Sequence, residues 1–313
     1  MPANPELNME QRQQQLVPAQ ATTFPGSFAS DLRHDHRKYA KSRAWSSVLH
    51  SYFTDGWQDI SIWKSAFIEF VGSTAMCYLS GMIHTTIGSF DSKAGAAYAG
   101  VTNLILISLF IFAMAPSSGG HVNPLITFTT VTTGLTGFSR GVLYMIAQTI
   151  GAALAGGLIR GSFGRDLTKL YQGGGCQVDT SLIDNGQAFL IEAVLSFVLV
   201  FLAFGVGLDP RCGAMFGPVV GPLLVGASLG LVSFSSIGLA AGYPGASMNP
   251  ARCFSFSVAR RDFHDQWIWW VGPLAGALVQ TAVYHIAPPY HRQLALERAS
   301  SRSEGLQTSG GKV

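Results

Sequence analysis

Along the first 61 residues apolar and polar positions mix without a sustained period, and the stretch DLRHDHRKYAKSR is a run of charge and histidine. Beyond it the pattern changes. Six stretches are almost continuously apolar: Ala66–Thr85, Ala96–Ala115, Gly141–Ile159, Ala188–Gly207, Val219–Ala240 and Trp267–Ala287. A helix of about 20 apolar residues crosses the hydrocarbon core of a bilayer, so each stretch is predicted to be a transmembrane helix. Two carboxylates, Glu69 and Glu192, lie inside these spans, and no lysine or arginine does. Two further apolar runs, Pro124–Thr133 and Pro250–Ala259, are too short to span, and each is headed by Asn-Pro.

Proline suits the first turn of a helix, where its missing N–H has no intrahelical partner. Each Asn-Pro therefore reads as the start of a half-helix, Asn123, Pro124 and Leu125 in one copy and Asn249, Pro250 and Ala251 in the other. Non-helical backbone at membrane depth persists only where it is buried in protein or lines a wet cavity. Two half-helices thus imply a pore or a binding site.

The chain also repeats itself. AFIEF sets Glu69 early in the first span and FLIEA sets Glu192 early in the fourth. Glu69 precedes Asn123 by 54 residues and Glu192 precedes Asn249 by 57. Each half is three spans with a broken segment after the second. Three is odd, so the halves enter the membrane from opposite sides, which puts a functional site near the midplane. The predicted fold is an all-α membrane protein, six transmembrane helices plus two re-entrant half-helices in an inverted repeat. Residues 62–288 form the channel domain, with repeats over about 62–163 and 186–288; residues 1–61 and 289–313 are polar tails, the first largely disordered.

Composition agrees with a membrane protein. Of the 313 residues only 12% are charged, against about 25% in a soluble domain. The 36 glycines fit helices that approach one another closely. A net charge of +3 without a basic stripe excludes nucleic acid as a partner. The glutamine-rich N-terminus has no apolar core of signal-peptide type and reads as a solvated tail, a role preferred to metal binding by His34 and His36. With six spans, both tails share a side with the second and fourth loops. That side holds 13 of the 20 Lys and Arg, and the opposite loops hold six. The positive-inside rule then makes the tails cytoplasmic, and the plasma membrane is the expected location.

An acid inside the membrane is a functional suspect by default. The matched placement of Glu69 and Glu192 favours a structural role, each carboxylate accepting backbone N–H groups of its broken segment. At the centre, two facing helix N-termini present positive partial charge, and Asn123 and Asn249 add amide N–H donors. A hydroxyl or amide solute can bind there; cations are repelled and a proton wire is interrupted.

SGGHVNPLITF and GASMNPAR resemble the paired signature boxes of the major intrinsic proteins, the aquaporin and aquaglyceroporin family. EFVGST, QTIGAALAG and WIWWVGPLAGA also resemble family stretches, and the match covers about residues 62–288. Leu125 departs from the usual alanine of the first box. NPARC, with Cys253, and GGGC, ending at Cys176, resemble the X intrinsic proteins, a branch found in plants and fungi. The resemblance implies a homotetramer with one pore per subunit in the lipid bilayer and no cofactor. It also implies a second constriction, formed by four residues that count from the motif asparagines to Asn103, Ile237, Ala246 and Arg252. Strict water channels of the family place a bulky aromatic and a histidine in this ring. Asn103 and Ile237 instead favour small neutral solutes (glycerol, hydrogen peroxide, urea, boric acid), with water as a further permeant. The aspartate that follows the arginine in aquaglyceroporins is absent, and Trp269 and Trp270 look like the water-channel side.

Three residues keep two readings each. Cys253, near the pore mouth, is either a small packed residue or a thiol open to mercurials. Cys176 is either in a disulfide or free. His121 either packs its loop or gates with pH. Four scattered cysteines, none in CxxC spacing, signal no zinc or redox site. A secondary transporter is the main rival, since inverted repeats with broken helices also serve those, but such proteins need buried charges or an ion cage. No nucleophile–base pair, phosphate loop or metal constellation points to an enzyme.

Overall fold

The computed structural model describes residues 45–90 and 92–287. The tail beyond Ala287, residues 1–44 and the pair His34 and His36 lie outside the described residues. The elements are α1 (Trp45–Thr54), α2 (Ile60–Gly88), α3 (Gly95–Ser118), α4 (Pro124–Thr132), α5 (Phe138–Leu170), α6 (Asn185–Ala203), α7 (Pro210–Ser236), α8 (Pro250–Arg260) and α9 (Ile268–Ile286). Among the described residues, five helices are long and apolar enough to cross a membrane: α2, α3, α5, α6 with the turn that follows it, and the Phe216–Ser236 part of α7. Helix α9 has 19 residues, and its two tryptophans, Gln280 and His285 dilute an otherwise apolar stretch.

The packing follows the repeat. Helix α2 lies along α5 as α6 lies along α9, and α3 meets α7 across the two halves. The short helices cross over: α8 packs on α5 of the first half and α4 on α9 of the second. Small residues set these crossings. A Cβ on Gly151 would come within 2.5 Å of the Phe70 carbonyl oxygen, and one on Gly276 within 2.5 Å of the Ala193 carbonyl oxygen. Phe70 and Ala193 each follow their repeat's glutamate by one residue, so the close approach is the same contact made twice. Gly100 and Gly230 face one another where α3 meets α7. Overpacking a close contact typically costs about 1–3 kcal/mol. Gly276→Val is therefore expected to lower the unfolding temperature of the detergent-solubilised protein, followed by tryptophan fluorescence. An unchanged temperature would mean that α6 and α9 are free to part.

Several boundaries differ from the sequence expectation, each for a local reason. Helix α1 forms inside what reads as tail, because Tyr52, Phe53 and Trp57 pack their rings around Phe138 at the start of α5. Helix α5 continues past Ile159 to Leu170 through a break at Gly164 (φ 71°); there Arg160 donates to the Ala259 carbonyl of α8 at 3.0 Å. Helix α7 begins earlier than Val219 and is broken at Gly217 (φ 71°), just before Pro218. Helix α6 ends in one π turn, Phe204–Leu208.

Candidate functional site

The two half-helices meet tip to tip. Asn123 caps α4, its Oδ1 accepting from the Leu125 N–H at 2.9 Å. Asn249 caps α8, accepting from the Arg252 N–H at 3.2 Å. Each side-chain amide then reaches across: Asn123 Nδ2 donates to the Met248 carbonyl at 2.9 Å, and Asn249 Nδ2 to the Val122 carbonyl at 3.1 Å. Asparagine has two amide hydrogens. One is committed to this cross-link and the other is available to whatever occupies the lumen. Val122 and Met248 adopt left-handed backbone (φ 42° and 53°), a conformation unusual for branched or bulky residues. It turns the N–H of each toward a glutamate and its C=O toward the opposite asparagine.

The glutamates hold those turns. Glu69 accepts from the His121 N–H (3.0 Å), the Val122 N–H (2.7 Å), the Ser118 hydroxyl (2.6 Å) and the Gln148 amide (2.8 Å). Glu192 accepts from the Ser247 N–H (3.0 Å), the Met248 N–H (2.5 Å) and the Tyr243 hydroxyl (3.0 Å). Both are fully buried. Their bonds are all received and none given, as a carboxylate requires. Gln148 has no counterpart of its kind in the second half, where Tyr243 from the loop before Asn249 takes the place.

Two cavities follow one another along the tips. The larger, about 720 Å³ counting its open ends, is lined by Asn123 and Asn249 with His121, Ser80, Asn103, Ser233 and Arg252. Toward the face that carries the chain ends its wall is apolar, with Ile107, Ile111, Leu208, Val225 and Leu229. The second, about 310 Å³, opens toward the opposite face between Ile237, Ala246, Gly174, Gly175, Cys176 and His84. Asn103, Ser233 and Arg252 line both and so stand at the junction. Asn103 Nδ2 donates to Ser233 Oγ at 3.0 Å. Arg252 donates from Nε to Ser80 Oγ at 2.9 Å, pairs through Nη2 with His84 Nε2 at 3.0 Å, and lies 5.2 Å from the centre of the Phe256 ring. His121 both faces the lumen and packs its loop: its Nδ1 is 3.1 Å from Thr127 Oγ1, and its ring stands edge-on to Tyr144.

The structure thus brings Asn103, Asn123, Asn249, Ile237, Ala246 and Arg252 to one passage. Leu125 and Ala251 are fully buried beside it in separate apolar clusters, so the departure at Leu125 alters packing and not the lining. Cys253 corrects the expectation of a small free packed residue or an open thiol. It is bonded to Cys176, 77 residues earlier, with Cα atoms 5.4 Å apart. The bond ties the loop before α6 to α8 one residue from Arg252. Arg260 secures the same loop, donating to the Gly175 and Cys176 carbonyls. Ser80, His84 and Ser233 were not foreseen. Met76, Ser80 and His84 recur every fourth residue and so share one face of α2; that spacing was the available signal.

The residues from 56 to 284 match the family model described as "Major intrinsic protein". The chain is 30% identical over 228 residues to "Aquaporin TIP1-1" of Zea mays, covering 71% of this chain and 86% of that one. It is 32% identical over 235 residues to "Aquaporin PIP-type" of Atriplex canescens, covering 72% and 80%. The solved aquaglyceroporin from Plasmodium falciparum superimposes with a TM-score of 0.60 at 18% identity, over 75% of this chain and 99% of that one. At that identity the likeness is one of fold.

Proposed function

The chain belongs to the major intrinsic protein family, a family of membrane channels, and from that premise we propose that it passes small uncharged solutes passively while excluding ions and protons. Glycerol, hydrogen peroxide, urea and boric acid are the proposed solutes, with water beside them. The carrying observation is the wall of the second cavity, where Ile237 and Ala246 face Asn103 and Arg252 without a Phe, Tyr or Trp ring among its lining residues. Such a ring offers a hydroxyl or amide several donors on one side and an apolar surface on the other. Arg252 cannot lose its proton in ordinary conditions and opposes cations, and the two helix tips add about half a positive charge each. A strict water channel is the second reading, favoured by His84 beside Arg252.

Stopped-flow light scattering on reconstituted vesicles decides between them. Glycerol permeability well above that of protein-free vesicles is the expected outcome, and water flux without glycerol flux would establish the second reading. Ile237→His is expected to lower the glycerol-to-water ratio severalfold, because it replaces the apolar wall with a bulkier polar ring; an unchanged ratio removes Ile237 from the constriction. The count of Lys and Arg supports cytoplasmic tails, and the plasma membrane, a homotetramer and the X intrinsic branch belong to the same proposal. Lipid-facing Val101, Ile105 and Leu109, at every fourth position of α3, support a bilayer setting.

A further inference from the structure

Arg252 is held by two side chains of α2, Ser80 and His84, one helical turn apart. The hydrogen bonding fixes the state of the imidazole. A guanidinium has donors and no acceptor, so His84 Nε2, 3.0 Å from Arg252 Nη2, accepts and carries no proton. Nδ1 then bears the proton and donates to the Ser80 carbonyl at 2.8 Å. The ring is thereby neutral and fixed in orientation from both nitrogens. It also lines the second cavity beside Ile237 and Ala246.

We propose that His84 is a fifth side chain of the constriction, which narrows it from the α2 side and fixes Arg252 against that wall. The inference rests on the channel reading given above. Of the guanidinium's five N–H groups, Nε–H and one on Nη2 are committed to α2. Those left are turned to the passage, where a hydroxyl can meet them. Without the His84 acceptor one buried donor of Arg252 loses its partner, and the guanidinium turns into the lumen to recover one. His84 therefore acts in two ways: by its own bulk on solute size, and as a positioning residue through Arg252.

The two roles separate in a series of variants in reconstituted vesicles, with permeabilities to water, glycerol and erythritol measured by stopped-flow light scattering. His84→Ala removes bulk and is expected to raise the erythritol-to-water ratio at least threefold. His84→Leu keeps bulk but has no acceptor and is expected to lower glycerol permeability at least threefold. His84→Gln restores an acceptor and is expected to return glycerol permeability to within twofold of the parent, which a merely structural position would not do. If Ala, Leu and Gln all leave the ratios within twofold while Arg252→Ala changes them, His84 is not part of the constriction and the inference fails alone. If Arg252→Ala also changes nothing, the constriction itself is misassigned and the inference fails with it. A Leu variant that does not reconstitute leaves the Ala and Gln ratios to decide.

Discussion

Glu192→Ala is expected to abolish the folded channel and not merely its conductance. The side chain accepts the Ser247 and Met248 N–H groups and the Tyr243 hydroxyl at a fully buried site. Alanine leaves three donors without partners where water does not replace them. Each such group costs about 1–3 kcal/mol, so the total approaches the net stability of an ordinary domain, about 5–15 kcal/mol. The left-handed Met248 backbone then has nothing to oppose its strain, and the carbonyl that receives Asn123 Nδ2 loses its place. Glu69→Ala is expected to do the same on the other side, where four donors are stranded. The check is the yield of monodisperse detergent-solubilised protein and its unfolding temperature. A Glu192→Ala protein that is recovered and melts like the parent, but has lost only flux, would give the acid a transport role and revive the rival of an ion-coupled carrier.

Arg252→Ala is expected to fold and to lose selectivity. The substitution removes a cation at the junction of the two cavities and opens the space between Ser80, His84 and Ser247. Two unit charges 4 Å apart interact by about 4 kcal/mol at an effective dielectric constant near 20, so the barrier lost to a passing cation has a ceiling near a thousandfold in rate. Water in the passage screens part of that, and a rise in proton or cation leak of tenfold or more is the expected result. Exclusion does not vanish altogether, because the tips of α4 and α8 keep their partial charges. A pH-sensitive dye trapped in reconstituted vesicles reads the leak, and glycerol permeability rises in parallel. Leak and solute ratios equal to the parent's would mean that Arg252 anchors loops only.

Much of this architecture was legible because its signals are local. An asparagine that caps a helix followed by a proline in the first turn says where α4 and α8 begin, and the model starts both helices at those prolines. The paired glutamates announced the repeat because each sits at the same distance from its motif. Other features depend on which face of a helix turns inward, and a span that is apolar all round does not say. Ser80 and His84 belong to such a helix. The Cys176–Cys253 bond escaped because a loop of 77 residues closes it, and nothing in the spacing pairs those two cysteines. Helix α1 escaped because its order comes from aromatic packing on Phe138 and not from a period of its own. The run of α5 beyond Ile159 was hidden by Arg160, Arg165 and Lys169, which end the apolar pattern but not the helix.

Glycerol uptake by reconstituted vesicles, followed by stopped-flow light scattering across a range of gradients with and without an opposing sodium or proton gradient, tests the tip-to-tip passage most directly. A rate that exceeds protein-free vesicles, rises in proportion to the gradient and ignores the ions is predicted. A rate that saturates, or that follows the ion gradient, would contradict a continuous open lumen between Asn123 and Asn249.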